Sequence, residues 1–331
     1  MTQQATAIGS GAIIVQITGD GNGVDLGMPR LCLIPFHNLN RAPRKALDVI
    51  DAFTTQLPLV GREAEMADFT TWLNDPQPIG VRCVAGMAGS GKSRLGIELC
   101  TQAAASGWFA GFVSHKELER FRAQDNLAAW GWSKPTLIVS DYAAAKARPI
   151  KDWLEELATH FRPSPHPLRL LLLEREARRD DGWWAELTRP SSAGAQYGLD
   201  GMMGDATPLI LPGLESADQR RALVRAVMAA AAPWMETAVA AELPAVGANP
   251  AFDARIAGAG NPLDLAMIGL LAVYEGVGGV LTATRRTWRP NWHPSNAAAW
   301  IISPVTANLI RRRSTALPPW SPWPAPVPRT S

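Results

Sequence analysis

The chain has 331 residues, 47 % of them hydrophobic and 19 % charged, which is enough apolar material for one large domain or two smaller ones. Its net charge of +2 is unevenly spread: residues 276–331 hold seven arginines and no Asp, Glu or Lys, so residues 1–275 carry 25 basic against 30 acidic side chains. The body is mildly acidic, which excludes a broad positive field as the basis of an anion site there. Cys32, Cys83 and Cys100 have no metal-binding spacing, and the five histidines (His37, His115, His160, His166, His293) are dispersed. A low, odd cysteine count with no signal peptide predicts a reducing cytoplasm. No apolar run is expected to reach the roughly 18 residues that cross a membrane; the best candidate, Ala299–Pro304, is short and broken by proline.

In chain order, residues 1–28 form a Gly-rich arm in which Ile13–Thr18 predicts a strand and Gly19–Gly23 a turn. Residues 29–56 read as a linker with a short helix over Pro43–Thr55. A βα alternation starts near Leu57: a helix over Glu63–Leu73, a strand over Ile79–Ala85, a helix from Arg94 to Ala105, and a strand over Trp108–Val113. A helix over Lys116–Trp130, a strand over Pro135–Asp141, a helix over Ile150–Phe161 and a strand over Leu168–Leu173 follow. A short helix at Asp181–Leu187 and a short strand at Pro208–Pro212 end the alternation, which predicts a mainly parallel sheet covered on both faces. Residues 57–215 are therefore read as one α/β domain. Residues 216–275 are read as a helical unit with helices over Ser216–Ala232 and Pro262–Tyr274. Residues 276–331, with nine prolines and five tryptophans among the arginines, read as a tail without regular structure.

The most specific signal is Gly86-Met87-Ala88-Gly89-Ser90-Gly91-Lys92-Ser93, which fits G-x-x-x-x-G-K-[ST] and lies between a predicted strand and a predicted helix. Its glycines let main-chain N–H groups converge on an anion, and the helix N-terminus, opened by Lys92, Ser93 and Arg94, adds partial positive charge. Lys92 is placed to reach terminal phosphates and Ser93 to hold magnesium, so ATP or ADP with Mg2+ is the expected ligand. Asp141 ends an apolar strand downstream, where an acid either holds the metal opposite Ser93 or caps a turn. Tyr142 stands where many ATPases carry a second acid, which predicts slow hydrolysis or a base from elsewhere, such as Asp181 or Glu174. In a sheet of order 5-1-4-3-2, Arg175 ends the strand between the loop strand and the Asp141 strand, where it could read a γ-phosphate. Lys92, Asp141 and Arg175 are thus the candidate catalytic set. There is no G-x-S-x-G to support a Ser/His/Asp hydrolase.

Several segments together resemble the STAND class of P-loop ATPases, which includes NB-ARC and NACHT proteins. Val60-Gly61-Arg62-Glu63 is similar to the class's entry motif, 23 residues before the phosphate loop. Gly86–Ser93 is similar to its loop, Leu137–Asp141 to its metal strand, Leu170–Arg175 to its arginine-sensor strand, and Gly260-Asn-Pro262-Leu263 to its G-x-P-L lid motif. The resemblance covers about residues 57–275. It implies that Val60, Gly61 and Arg62 pack around adenine, that Pro262 contacts the base from a lid, and that Arg175 senses the γ-phosphate. Tyr142 departs from the pattern, and neither a winged-helix motif nor a repeat array follows the lid helices. The acid-free tail also resembles the product of a shifted reading frame.

The resemblance implies a cytoplasmic ATP–Mg switch for signal transduction with slow or absent hydrolysis, a protein partner or effector, and assembly on ATP binding. One alternative is an active AAA-like ATPase whose basic tail binds nucleic acid by charge and stacking. Another is a non-enzymatic nucleotide-binding remnant.

Overall fold

The computed structural model describes residues 29–35, 42–124, 127, 130–160, 164–235, 238–240 and 242–282. The arm at 1–28, with its expected strand, and the tail from 283, with Ala299–Pro304, lie outside the described residues. In chain order the elements are β1 (Ile34–Pro35), α1 (Glu63–Leu73), β2 (Ile79–Ala85), α2 (Lys92–Ala105), β3 (Phe109–Phe112), α3 (His115–Arg122), β4 (Thr136–Asp141) and α4 (Ala147–His160). Then come β5 (Leu168–Glu174), α5 (Gly182–Thr188), α6 (Ala193–Met203), β6 (Leu209–Ile210), α7 (Ala217–Ala231), α8 (Pro250–Ala257) and α9 (Pro262–Thr282).

The sheet order is β1-β3-β4-β5-β2-β6. Only β1 is antiparallel, pairing with β3 at one edge; the other five strands run parallel. Counted along the chain, those five give the order 5-1-4-3-2, and the chain has the P-loop NTPase fold. The strands are apolar along nearly their whole length because helices cover both faces. On one face Cys83, Leu170 and Leu172 pack with Trp153 and Leu157 of α4, Trp184 of α5 and Leu199 of α6. On the other, Val84, Leu171 and Leu173 pack with Phe69 of α1 and Leu95, Leu99 and Cys100 of α2. Burial pushes the Cys83 and Cys100 thiols up to about 12, as suits small core residues.

A third core joins Val224, Val227 and Met228 of α7, Phe252 and Ile256 of α8, and Leu265, Ile268 and Val273 of α9. Ala46 belongs to it, and Leu57 and Val60 pack against it, so the start of the α/β domain and the segment ahead of it are anchored on the helical unit. At the N-terminal end of the sheet the fully buried Arg169 is held by main-chain carbonyls. Its Nε donates to Trp72 O at 2.8 Å, Nη1 to Gln77 O and Leu168 O at 3.0 Å each, and Nη2 to Asp75 O at 2.5 Å.

Several elements differ from the sequence expectation. The helix expected over Pro43–Thr55 is two 3-10 turns, Ala46–Ile50 and Ala52–Thr54. Helix α6 is not among the expected elements; Ala195, Leu199, Met202 and Met203 bury one face and Ser192 caps its start. Helix α8 carries Asn249 as cap and Pro250 at its first turn, signals that mark a helix start. Helix α9 extends beyond Tyr274: the backbone breaks at Gly276 (φ 73°, ψ 178°) and continues to Thr282, with Val280 buried. This corrects the expectation about apolar runs. Helix α9 is 21 residues long and contains an 18-residue window of mean hydropathy 1.7, long and apolar enough to cross a membrane, although 56 % of that window is buried inside the fold. The charge of Glu275 interrupts the run but does not lower the mean enough.

Candidate nucleotide site

The strand order brings the ends of β2, β4 and β5 together at the C-terminal edge of the sheet, the edge where open α/β sheets bind ligands. Ala85, the last residue of β2, lies opposite Glu174, and Asp141 lies opposite Leu173. The Gly86 N–H donates to both Glu174 O and Arg175 O at 3.2 Å, so the start of the loop is hydrogen-bonded to the end of β5. Gly89 and Gly91 take left-handed backbone, at φ 82° and 95°. At Gly89 a side chain is also excluded by space, since a Cβ would lie 2.6 Å from Leu263 Cβ and 2.7 Å from Asn261 Oδ1.

Lys92 and Ser93 open α2. The Lys92 ammonium is buried within the loop, donating to Gly86 O at 2.7 Å, to Met87 O at 3.0 Å and to Ser90 Oγ at 3.5 Å. Burial pulls its pKa below the ordinary lysine value; Asp141 and Glu174 oppose that shift and Arg175 adds to it. These three charges therefore act on one ammonium. Ser93 Oγ donates to Asp141 Oδ2 at 2.6 Å, and Asp141 Oδ1 accepts from Tyr142 N at 2.9 Å. A hydroxyl and a carboxylate side by side are hard oxygen donors of the kind magnesium takes while retaining waters, so the pair fits that ion. Among the described residues no group of three or more His, Cys, Asp or Glu could hold a metal.

The remaining expected residues support the loop from several sides. Arg62, 4 % exposed, donates from Nη2 to Ser90 O at 3.3 Å and to Pro212 O at 2.5 Å, and pairs with Glu65 at 3.1 Å. It braces the loop from behind. Gly61 has φ 66°, and a Cβ there would lie 2.7 Å from Gln219 Cδ of α7, so the entry segment passes directly beneath the helical unit. Val60 packs on that unit's core. Arg94 ties α2 to Leu57 O through Nε and Nη2 at 3.3 Å each, and to Glu98 at 2.9 Å. Ala88 and Met87 form the tip of the loop, with Met87 76 % exposed.

Pro262 opens α9 next to the phosphate loop. Asn261 Nδ2 donates to Ala88 O at 2.8 Å, and the Leu263 N–H is shared between Gly89 O at 3.2 Å and Asn261 Oδ1 at 2.9 Å. The helical unit thus sits on the loop itself. Leu214 N–H donates to Gly260 O at 2.7 Å and fastens the same segment to the irregular stretch that follows β6.

Two residues of this cluster went unnoticed in the sequence. Asn261 lay inside a motif quoted for its proline, and its amide was the missed signal. Lys146 had none, standing after three alanines; it is buried, donating to Ser140 Oγ at 3.4 Å and to Asp141 O. Burial lowers its pKa, opposed by Asp141 and Glu174.

No protein-family model matches the chain, and no curated protein matches it. Among solved structures, Aeropyrum pernix ORC1 in complex with DNA is 15 % identical, with 72 % of this chain and 68 % of that one covered at a TM-score of 0.40. A point mutant of Thermotoga maritima RuvB is 11 % identical, with 78 % and 73 % covered at 0.36. NtrX from Brucella abortus in complex with ADP is 14 % identical, with 70 % and 55 % covered at 0.36. At these scores the similarities carry no argument; the fold assignment rests on the strand order and the loop.

Proposed function

We propose that the chain is an ATP–Mg-binding switch ATPase of STAND type, acting in signal transduction with slow turnover. The observation that carries this reading is the direct seating of Asn261 and Leu263 on the carbonyls of Ala88 and Gly89. A helical unit hydrogen-bonded to a phosphate loop responds to what the loop holds, which is what a switch requires. In this reading Lys92 and the loop N–H groups bind the phosphates. Ser93 and Asp141 hold magnesium, which supplies charge neutralisation at the phosphates. Val60, Gly61, Arg62 and Pro262 are assigned to the base by the resemblance. Arg175 provides the differential contact, because ATP carries a γ-phosphate and ADP does not. Nucleotide state then sets the position of the helical unit for a protein effector or for assembly with further copies.

The test compares ATP with ADP. Arg175→Ala is expected to weaken ATP binding by about tenfold, the loss of a charge-assisted contact of about 1.4 kcal/mol, and to leave ADP binding nearly unchanged. Calorimetric titration of both nucleotides measures it. Equal losses for ATP and ADP would remove the sensor role and with it the switch.

A further inference from the structure

The acid expected after Asp141 is absent from its own strand. Tyr142 occupies that place in left-handed backbone (φ 54°), and burial together with Asp141 pushes its phenol up to about 12, so it stays neutral. We propose that Glu174, at the end of the neighbouring strand β5, is the catalytic carboxylate that orients and deprotonates the attacking water in ATP hydrolysis. The inference rests on the nucleotide reading above and adds to it a residue and a reaction.

Placement is the first argument. Strand β5 lies between β2 and β4, and Glu174 is opposite Ala85, one position beyond the Leu173–Asp141 pair. With neighbouring strands roughly 5 Å apart, its backbone lies between the strand that enters the phosphate loop and the strand that ends at Asp141. Pre-organisation is the second. Glu174 Oε1 accepts from Arg175 N at 2.7 Å, and Oε2 accepts from Ala144 N at 3.0 Å, on the turn that follows Asp141. Two main-chain donors fix the carboxylate plane, and each oxygen keeps a further lone pair for a water. Its charge is felt at Lys92, at Lys146 and at Tyr142, three residues on two different segments around the site.

Competing carboxylates have other roles in this reading. Asp141 is the magnesium partner of Ser93, to which it is joined through Oδ2. Asp181 is exposed and caps α5, accepting from Gly182 N at 2.7 Å. In the proposed step the water oxygen attacks the γ-phosphorus and one water proton passes to Glu174 as the new P–O bond forms. The bond from phosphorus to the β,γ-bridging oxygen breaks, and its electron pair leaves on ADP. The proton then passes to the released phosphate, which restores the carboxylate.

The experiment measures ATP affinity by titration and single-turnover hydrolysis at saturating Mg-ATP, on the full chain and on Glu174→Gln and Glu174→Asp. The expected result is near-wild-type affinity in both variants, with hydrolysis reduced at least about 100-fold in Glu174→Gln and less in Glu174→Asp, which keeps a base. Three results overturn it: hydrolysis unchanged in Glu174→Gln, affinity and rate falling together in both variants (unfolding of both included), or wild-type binding of ATP without any turnover. The last two make Glu174 a structural pin for the Ala144 turn. Failure of the wild-type chain to bind ATP is a different outcome, which removes the nucleotide reading itself.

Discussion

Buried cations occur at both ends of the sheet, and their surroundings differ. At the N-terminal end Arg169 is fully buried and satisfied by four main-chain carbonyls, from Trp72, Asp75, Gln77 and Leu168. At the C-terminal end Lys92 and Lys146 are buried beside the carboxylates Asp141 and Glu174, whose charges oppose their desolvation. The rigid guanidinium fork matches fixed carbonyls and holds the α1–β2 connection to β5. A flexible ammonium among carboxylates and loop carbonyls can exchange those partners for a phosphate. On the proposed reading, one end serves stability and the other ligand exchange.

The comparison breaks most easily at the structural end. Arg169→Ala leaves four carbonyls without their donor, two of them on the buried residues Trp72 and Leu168, and is expected to cost about 2 kcal/mol or more, at about 1 kcal/mol or more for each buried group left unsatisfied. Thermal unfolding measures this, and ATP affinity of the still-folded variant should be unchanged at low temperature. A melting temperature like that of wild type would mean that water replaces the guanidinium and that the two ends are not distinct.

At the ligand end Asp141→Asn keeps shape and removes the charge beside Ser93. Most of the magnesium dependence of ATP binding is expected to disappear, and hydrolysis to fall by about tenfold or more. A titration with and without magnesium checks the first and a phosphate-release assay the second. Wild-type magnesium dependence would reduce Asp141 to an acid that ends a strand.

A smaller effect sharpens the role of the helical unit. Asn261→Ala removes one lid-to-loop hydrogen bond, worth about 0.5–1.5 kcal/mol, so bound nucleotide should dissociate about 2- to 10-fold faster. Stopped-flow displacement of a fluorescent ATP analogue reads that rate. An unchanged rate would mean that the contact does not oppose nucleotide escape.

Much of this was legible in the sequence, for identifiable reasons. The parallel strands announced themselves as continuous apolar runs, and the loop motif fixed which strand carries the phosphate site; the order 5-1-4-3-2 then placed Glu174 and Arg175. Helix α6 was illegible because helix-breaking glycines masked a buried face at Ala195, Leu199 and Met202. Lys146 was illegible because a buried lysine looks like a surface lysine until the turn that buries it is known. The break at Gly276 reads in sequence as an end, whereas in the fold Val280 beyond it is still buried. Arg62, which the entry motif suggests for the base, is held by Ser90, Pro212 and Glu65, contacts that no spacing in the sequence announces.

The central claim is that the Gly86–Ser93 loop binds the phosphates of ATP through Lys92. Calorimetric titration of Mg-ATP into the wild-type chain and into Lys92→Ala tests it directly. The account predicts saturable binding to wild type, and at least tenfold weaker binding to the variant, about 1.4 kcal/mol, with an unchanged circular dichroism spectrum. Equal affinities in the two folded proteins would contradict it.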